Sequence, residues 1–305
     1  MAFGYQVLGF GAGEGVVEPY NVRYLVIAGG AQGGRSNAHG GGGGAGGYRT
    51  ATCFELTGGD DYTITIGAGG TGVYPNPSCS PFYPVPPGDW WGAPGGNSVF
   101  ATITSEGGGA GAGQTNSPPG IPGGSGGGGG HNAPGGAGSS DAFGNPKPAQ
   151  GNAGGTANHT GPYHGAGGGG GAGAVGSNGG PGAAGPGGAG ATSNITGSCV
   201  VRASGGGGSG NSGGCVAAVP GGGGASAPGN TNPTRNGTAN TGGGSGAARA
   251  SGVPGGPANS VGGSGVVYLS IPTANYSGTT TGSPNVTTDG SNTVLEFTGS
   301  GTYTA

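Results

Sequence analysis

Residues 23–30 read RYLVIAGG and residues 40–50 read GGGGGAGGYRT, a β-branched and aromatic run halted by glycine and then a run of nearly bare glycine. The first is strand chemistry, because side chains branched at Cβ or aromatic pack well on a pleated surface. The second admits two physical readings. Glycine-rich chain free in water is a random coil with no reason to order. Packed side by side, the same runs form polyglycine II helices, extended left-handed threefold helices that rise about 3.1 Å per residue. Such a helix makes no hydrogen bonds within itself, so every N–H and C=O has to find a neighbouring chain. Only glycine lets backbones approach closely enough on all sides.

Outward from this stretch the same grammar repeats. Asp61 to Ile66 (DYTITI) alternates with period two and ends at Gly67; Ser98 to Thr104 (SVFATIT) does the same before the glycines at 107. Together with Val22–Ile27 these read as half-buried strands with polar Thr on one face. Strand signal returns at Val266–Ile271 and at Thr293–Phe297. Between them, glycine runs recur at 107–109, 126–130, 167–171, 205–208, 221–224 and 242–244, joined by Pro-, Asn-, Ser- and Thr-rich segments. The spacing is irregular, which excludes a fixed-length solenoid. Nearly bare runs, loops long enough to reverse direction and bracketing strands favour the packed reading, since strand clamps offset the entropy lost on ordering glycine.

The expected fold is therefore mostly irregular and β, with no α-helix: a glycine-rich polyglycine II bundle clamped by β-strands from both ends of the chain. Four parts are expected: an N-terminal attachment arm (1–22), a strand-rich part with an aromatic, Pro-rich loop (23–106), the bundle with variable loops (107–264), and C-terminal strands (265–305).

Composition narrows the function. The 305 residues include 91 Gly and 24 Pro, and charged residues make up 6%, against roughly 25% in ordinary domains. The side chains for a large core and an active site are missing, so no enzyme is expected. With seven Lys and Arg and a net charge of −3, there is no basic patch to neutralise phosphates, so no nucleic-acid partner is expected. No apolar stretch approaches a membrane span, and MAFGYQVLGFGAGEG at the N-terminus lacks the basic and apolar regions of a signal peptide. Collagen fails too: GPGAAGPGGAG at 180–190 keeps the triplet register only until Ala191.

Several side-chain groups stand out. Tyr74 to Pro94 (YPNPSCSPFYPVPPGDWWGAP) holds both Trp residues of the chain. There Phe82, Tyr83, Trp90 and Trp91 read either as a recognition surface, including for sugar rings, or as a local mini-core capping the bundle edge. His131, His159 and His164 sit in loops beside glycine runs. Only His159 and His164, with Tyr163 between them, are close in sequence, so a second recognition loop is expected there and no metal or cofactor. Cys199 with Cys215, and Cys53 with Cys79, are candidate disulfide pairs; free thiols are the equal alternative. Catalytic motifs are missing: Lys147, the sole Lys, lies between prolines, outside any phosphate-binding loop.

The pieces RYLVIAGG, GGGGGAGGYRT, DYTITIGAGG and GGNSVFATITSEGGGAGAG, with GGSGVVYLSIP and NTVLEFTGSGTYTA near the end, resemble the glycine-rich domain of bacteriophage tail-fibre and adhesin proteins, especially those of marine phages. The resemblance covers roughly residues 23–110 and 262–305. It implies a slab of polyglycine II helices, held by strands at one end and displaying host-binding loops at the other. It also implies a virion setting, other virion proteins and a host glycan or outer-membrane protein as partners, and a homo-oligomer, threefold by the family's habit. The chain is short for a whole fibre and has no coiled-coil shaft, so the 1–22 arm, with Phe3, Tyr5, Leu8 and Phe10, is the natural attachment point. A distal tail-fibre or adhesin component is the first expectation. A capsid decoration or surface-fibre protein is the second, and an extracellular glycine-rich matrix protein the third.

Overall fold

The computed structural model describes residues 18–36, 39–72, 91–113, 119–160, 163–210, 216–228, 235–249 and 260–305. The strands, numbered in chain order, are β1 (Tyr20–Ile27), β2 (Arg35–Ser36), β3 (Tyr48–Leu56), β4 (Asp61–Thr65), β5 (Ser98–Phe100), β6 (Ile103–Ser105), β7 (Asn158–Thr160) and β8 (Tyr163–Gly165). They continue with β9 (Ala191–Ser193), β10 (Val200–Arg202), β11 (Ala227–Pro228), β12 (Ala248–Arg249), β13 (Val266–Pro272), β14 (Asn285–Asp289), β15 (Asn292–Phe297) and β16 (Gly301–Thr304). One 3₁₀ turn, Thr273–Asn275, follows β13, and the described residues hold no α-helix.

Two antiparallel sheets face each other. One has the order β14-β15-β13-β1-β3 and the other β16-β4-β5-β6. The alternation along β1 explains why they pack. Its even positions, Tyr20, Val22, Tyr24 and Val26, meet Ile64, Phe100, Leu269, Leu295, Phe297 and Tyr303 in the core between the sheets. The Tyr20 and Tyr303 hydroxyls share a 2.9 Å hydrogen bond there. The odd positions Leu25 and Ile27 point the other way, joining Val266, Tyr268, Val294 and Ile195 and the small side chains Ala45 and Ala203. The half-burial expected of β1 is thus corrected: both its faces are covered, the second by the bundle. The unbroken strand expected over 98–104 is also corrected. Ala101, at φ +50°, turns the chain so that β5 and β6 pair back to back as a hairpin.

The glycine runs are packed as expected. In the run 40–47 every third residue serves the same neighbour. The N–H groups of Gly41, Gly44 and Gly47 donate to the carbonyls of Ala112, Gly109 and Glu106 at 2.8–2.9 Å. Those of Gly42 and Ala45 donate to Gly167 and Gly170, and those of Gly43 and Gly46 to Ser245 and Gly242. On the acceptor side, the carbonyls of Gly41, Gly44 and Gly47 receive Gly34, Ala31 and Ala28, those of Gly42 and Ala45 receive Gly128 and Ser125, and that of Gly43 receives Gly206. Period three with separate donor and acceptor neighbours on all sides is the polyglycine II lattice, and this run sits in the middle of it. The run 167–172 repeats the scheme toward residues 126–129, 174–177 and 203–206. No side chain fits between backbones so arranged: a Cβ on Gly42 would lie 2.0 Å from the Gly206 carbonyl oxygen.

Strands and runs are continuous pieces of chain. β1 passes into 28–34, 40–47 into β3, β4 into 67–70, β6 into 106–113, and 260–265 into β13. The strand-rich parts expected at 23–106 and 265–305 therefore form one sandwich, which begins at Tyr20, and that sandwich clamps one end of the bundle.

Candidate functional site: the loop end of the bundle

Loops such as 139–150 lie at the sandwich end, where Tyr48 donates to Gln150, but at the opposite end several pieces of chain leave the lattice together. Arg35, Ala248 and Ala227 stand side by side in a small parallel sheet, β2-β12-β11, so three separate pieces of chain leave the lattice there in one direction. The hairpin β7–β8 closes the same end: Gly167, just past it, donates to Gly129, and Ala166 to Ser209, while Ser209 exchanges hydrogen bonds with Gly40 through its hydroxyl. Trp91 enters here as well, ahead of Gly92, whose N–H donates to Gly111.

Of the expected recognition residues, Phe82, Tyr83 and Trp90 lie outside the described residues. Trp91 is described and is 7% exposed, with its indole N–H donating to the Pro119 carbonyl at 3.0 Å. His159, Tyr163 and His164 are all on the β7–β8 hairpin, with His159 opposite His164 and Thr160 opposite Tyr163. Tyr163 is 53% exposed. Cys53 and Cys199 are exposed free thiols; Cys79 and Cys215, like Phe3, Tyr5, Leu8 and Phe10, lie outside the described residues. Cys199 directly precedes β10.

The loop histidines do not stand apart as separate decoration. The chain has four, and all four meet. The His159 and His164 rings stack with centroids 3.5 Å apart. His39 stands 4.4 Å from His164, and His131 stands 4.1 Å edge-on from His159. His39 was not singled out in the sequence. It lies far along the chain from the others, and only the register between run 40–47 and run 165–171 brings it to the hairpin. It is 3% exposed.

His131 and Asn132 have φ of +41° and +63°, in the left-handed region that histidine and asparagine enter more readily than most residues. This turn ends the run 126–130, and the Asn132 side-chain oxygen accepts the His159 N–H. Burial, and then the neighbouring imidazoles, hold His131 and His164 below the usual histidine pKa.

At the sandwich side Lys147 joins two carboxylates, and a tyrosine hydroxyl links an arginine to a third. Lys147 lies 3.4 Å from Asp141 and 3.8 Å from Glu106. Arg202 donates to the Tyr268 hydroxyl, and that hydroxyl donates to Glu296 at 2.7 Å.

Fold and site together define a β-clamped polyglycine II bundle with a loop-bearing end. The chain belongs to the glycine-rich domain family, which it matches over residues 14–272. No curated protein and no solved structure matches it.

Proposed function

We propose that this chain is a structural protein of a virion: a distal tail-fibre or adhesin component that binds the host cell surface through loops displayed on a polyglycine II scaffold. The observation that carries this reading is the polarity of the molecule. One end of the bundle is clamped by the sandwich, and at the other the chain leaves the lattice at β2, β11 and β12 and the β7–β8 hairpin carries the exposed Tyr163. The bundle itself presents backbone where an enzyme would present reactive side chains. Its rigidity suits display, because a lattice hydrogen-bonded on six sides holds loop ends in fixed relative positions. On this reading the partners are other virion proteins and a host glycan or outer-membrane protein, the chain works as a homo-oligomer, and it resides at the particle surface.

The test is immunogold labelling of intact particles with an antibody against residues 74–94, alongside adsorption of particles carrying Tyr163→Ala. The expected result is gold at tail or fibre tips and weakened adsorption with unchanged particle yield. Gold spread over the head would make the chain a decoration protein and overturn the adhesin reading.

A further inference from the structure

We propose that His39, His159 and His164 form a binding site for one divalent transition-metal ion at the loop end of the bundle, with His131 holding the His159 ring in place. One ligand nitrogen from each of the three lies within 4.8 Å of the other two. An ion bound at about 2.0–2.1 Å from each nitrogen needs them roughly 3.4 Å apart in a tetrahedral arrangement. The remaining closure is within reach of side-chain rotation. All three rings sit on loop or hairpin positions, where the lattice does not fix them as it fixes the glycine runs.

Three observations separate this group from histidines that merely pack together. The first is recruitment: every histidine of the chain comes to one place, from three loops distant in sequence. The second is burial of the donor atoms. The Nδ1 atoms of all four rings are shielded from solvent, and those of His131 and His159 have no hydrogen-bond partner among the described residues. An aliphatic side chain would fill the same space without desolvating a nitrogen, so the shielded, unpartnered Nδ1 of His159 calls for a partner of its own. The third is the tie between two of the loops: the Asn132 side-chain oxygen, next to His131, accepts the backbone N–H of His159.

The donor set selects the ion. Three imidazoles with no thiolate or carboxylate among them suit Zn²⁺, Cu²⁺, Ni²⁺ or Co²⁺, and offer nothing to Ca²⁺ or Mg²⁺, which take oxygen ligands. Bound there, the ion would tie the reversal at His39 to the β7–β8 hairpin, cross-linking loops that the lattice leaves at its open end.

The experiment uses tag-free, chelator-treated full-length protein, dialysed separately against ZnCl₂ and CoCl₂, with bound metal measured per chain. The expected result is one ion per chain and a visible Co²⁺ spectrum without thiolate charge transfer. The melting temperature should rise on adding Zn²⁺ and fall back with EDTA. The double variant His159→Gln/His164→Gln should melt like the wild type in EDTA, bind no metal and show no Zn²⁺-dependent rise. A second variant, His39→Gln, should weaken binding at least ~10-fold, the scale on which disturbing a metal's surroundings is felt. A wild-type protein that holds no metal overturns the proposal. So does a double variant that binds as much as the wild type, or a Co²⁺ spectrum dominated by thiolate from Cys53 or Cys199.

Discussion

Replacing Gly42 by Ala tests the lattice at its centre. The new Cβ would sit 2.0 Å from the Gly206 carbonyl oxygen, 2.6 Å from its carbon and 2.8 Å from the Gly169 nitrogen, where ordinary contact begins at 3.4 Å. All three are backbone atoms, so no side chain can swing aside, and run 205–209 has to retreat by more than an ångström. That retreat opens the Gly206-to-Gly43 and Ser209-to-Gly40 bonds, both now 2.9 Å, inside a region with no water to replace them. At about 1–3 kcal/mol for each buried group left unpaired, the loss is about 4 kcal/mol. For a chain of 305 residues that is about 6 °C in melting temperature. Two controls set the scale. Gly299 has nothing within 4 Å of its Cβ position, and Gly299→Ala should change stability by less than ~0.5 kcal/mol. Ala45 already carries a Cβ packed with Leu25 and Ile27, and Ala45→Gly should cost about 1 kcal/mol. The assay is thermal and urea unfolding of the three variants beside wild type. A Gly42→Ala protein that melts within about 2 °C of wild type would refute the reasoning.

Alkaline pH provides a second check on the clamp. Burial, then donation to Glu296, pushes the Tyr268 hydroxyl up to about 12, above the ordinary value of about 10. A raised folded-state value means that its stabilisation is complete below about pH 10 and is lost as pH rises through 12. The wild-type urea midpoint should fall across that window, and Tyr268→Phe should flatten the fall. Cys53 and Cys199 are exposed thiols, so a brief pulse of iodoacetamide on the native protein should alkylate both, as read by peptide mapping. Protection of either until unfolding would contradict its place in the structure.

Much of the fold was legible in the sequence because its two signals are local. Strand chemistry at Val22–Ile27, Asp61–Ile66, Val266–Ile271 and Thr293–Phe297 marks β1, β4, β13 and β15 to within a residue or two at each end. Bare glycine marked the lattice, since few other structures require the absence of side chains. β3 was missed because Tyr48–Leu56 has mixed burial and no steady alternation. β14 was missed because Asn285–Asp289 buries no side chain fully and is held by pairing to β15 alone. The turn at Ala101 carries neither Gly nor Asn to announce its positive φ. The site was less legible than the fold. His159 and His164 are close in sequence, but His39 and His131 join them only through registers between distant runs, and nothing in a glycine run specifies its neighbour.

The six-neighbour lattice also bears on how the protein responds to temperature. Unfolding an ordinary domain exposes mainly hydrocarbon, which raises the heat capacity; exposing peptide groups lowers it. Here the interior of the bundle is almost entirely peptide, and hydrocarbon is confined to the sandwich and its contact with the lattice. The heat-capacity change per residue should therefore fall well below the usual 12–15 cal/mol/K. A small value takes the curvature out of the stability curve, so the protein should go on gaining stability as it is cooled, where an ordinary domain passes through a maximum at about 10–20 °C. A scaffold of hydrogen-bonded glycine is in this respect protected against cold.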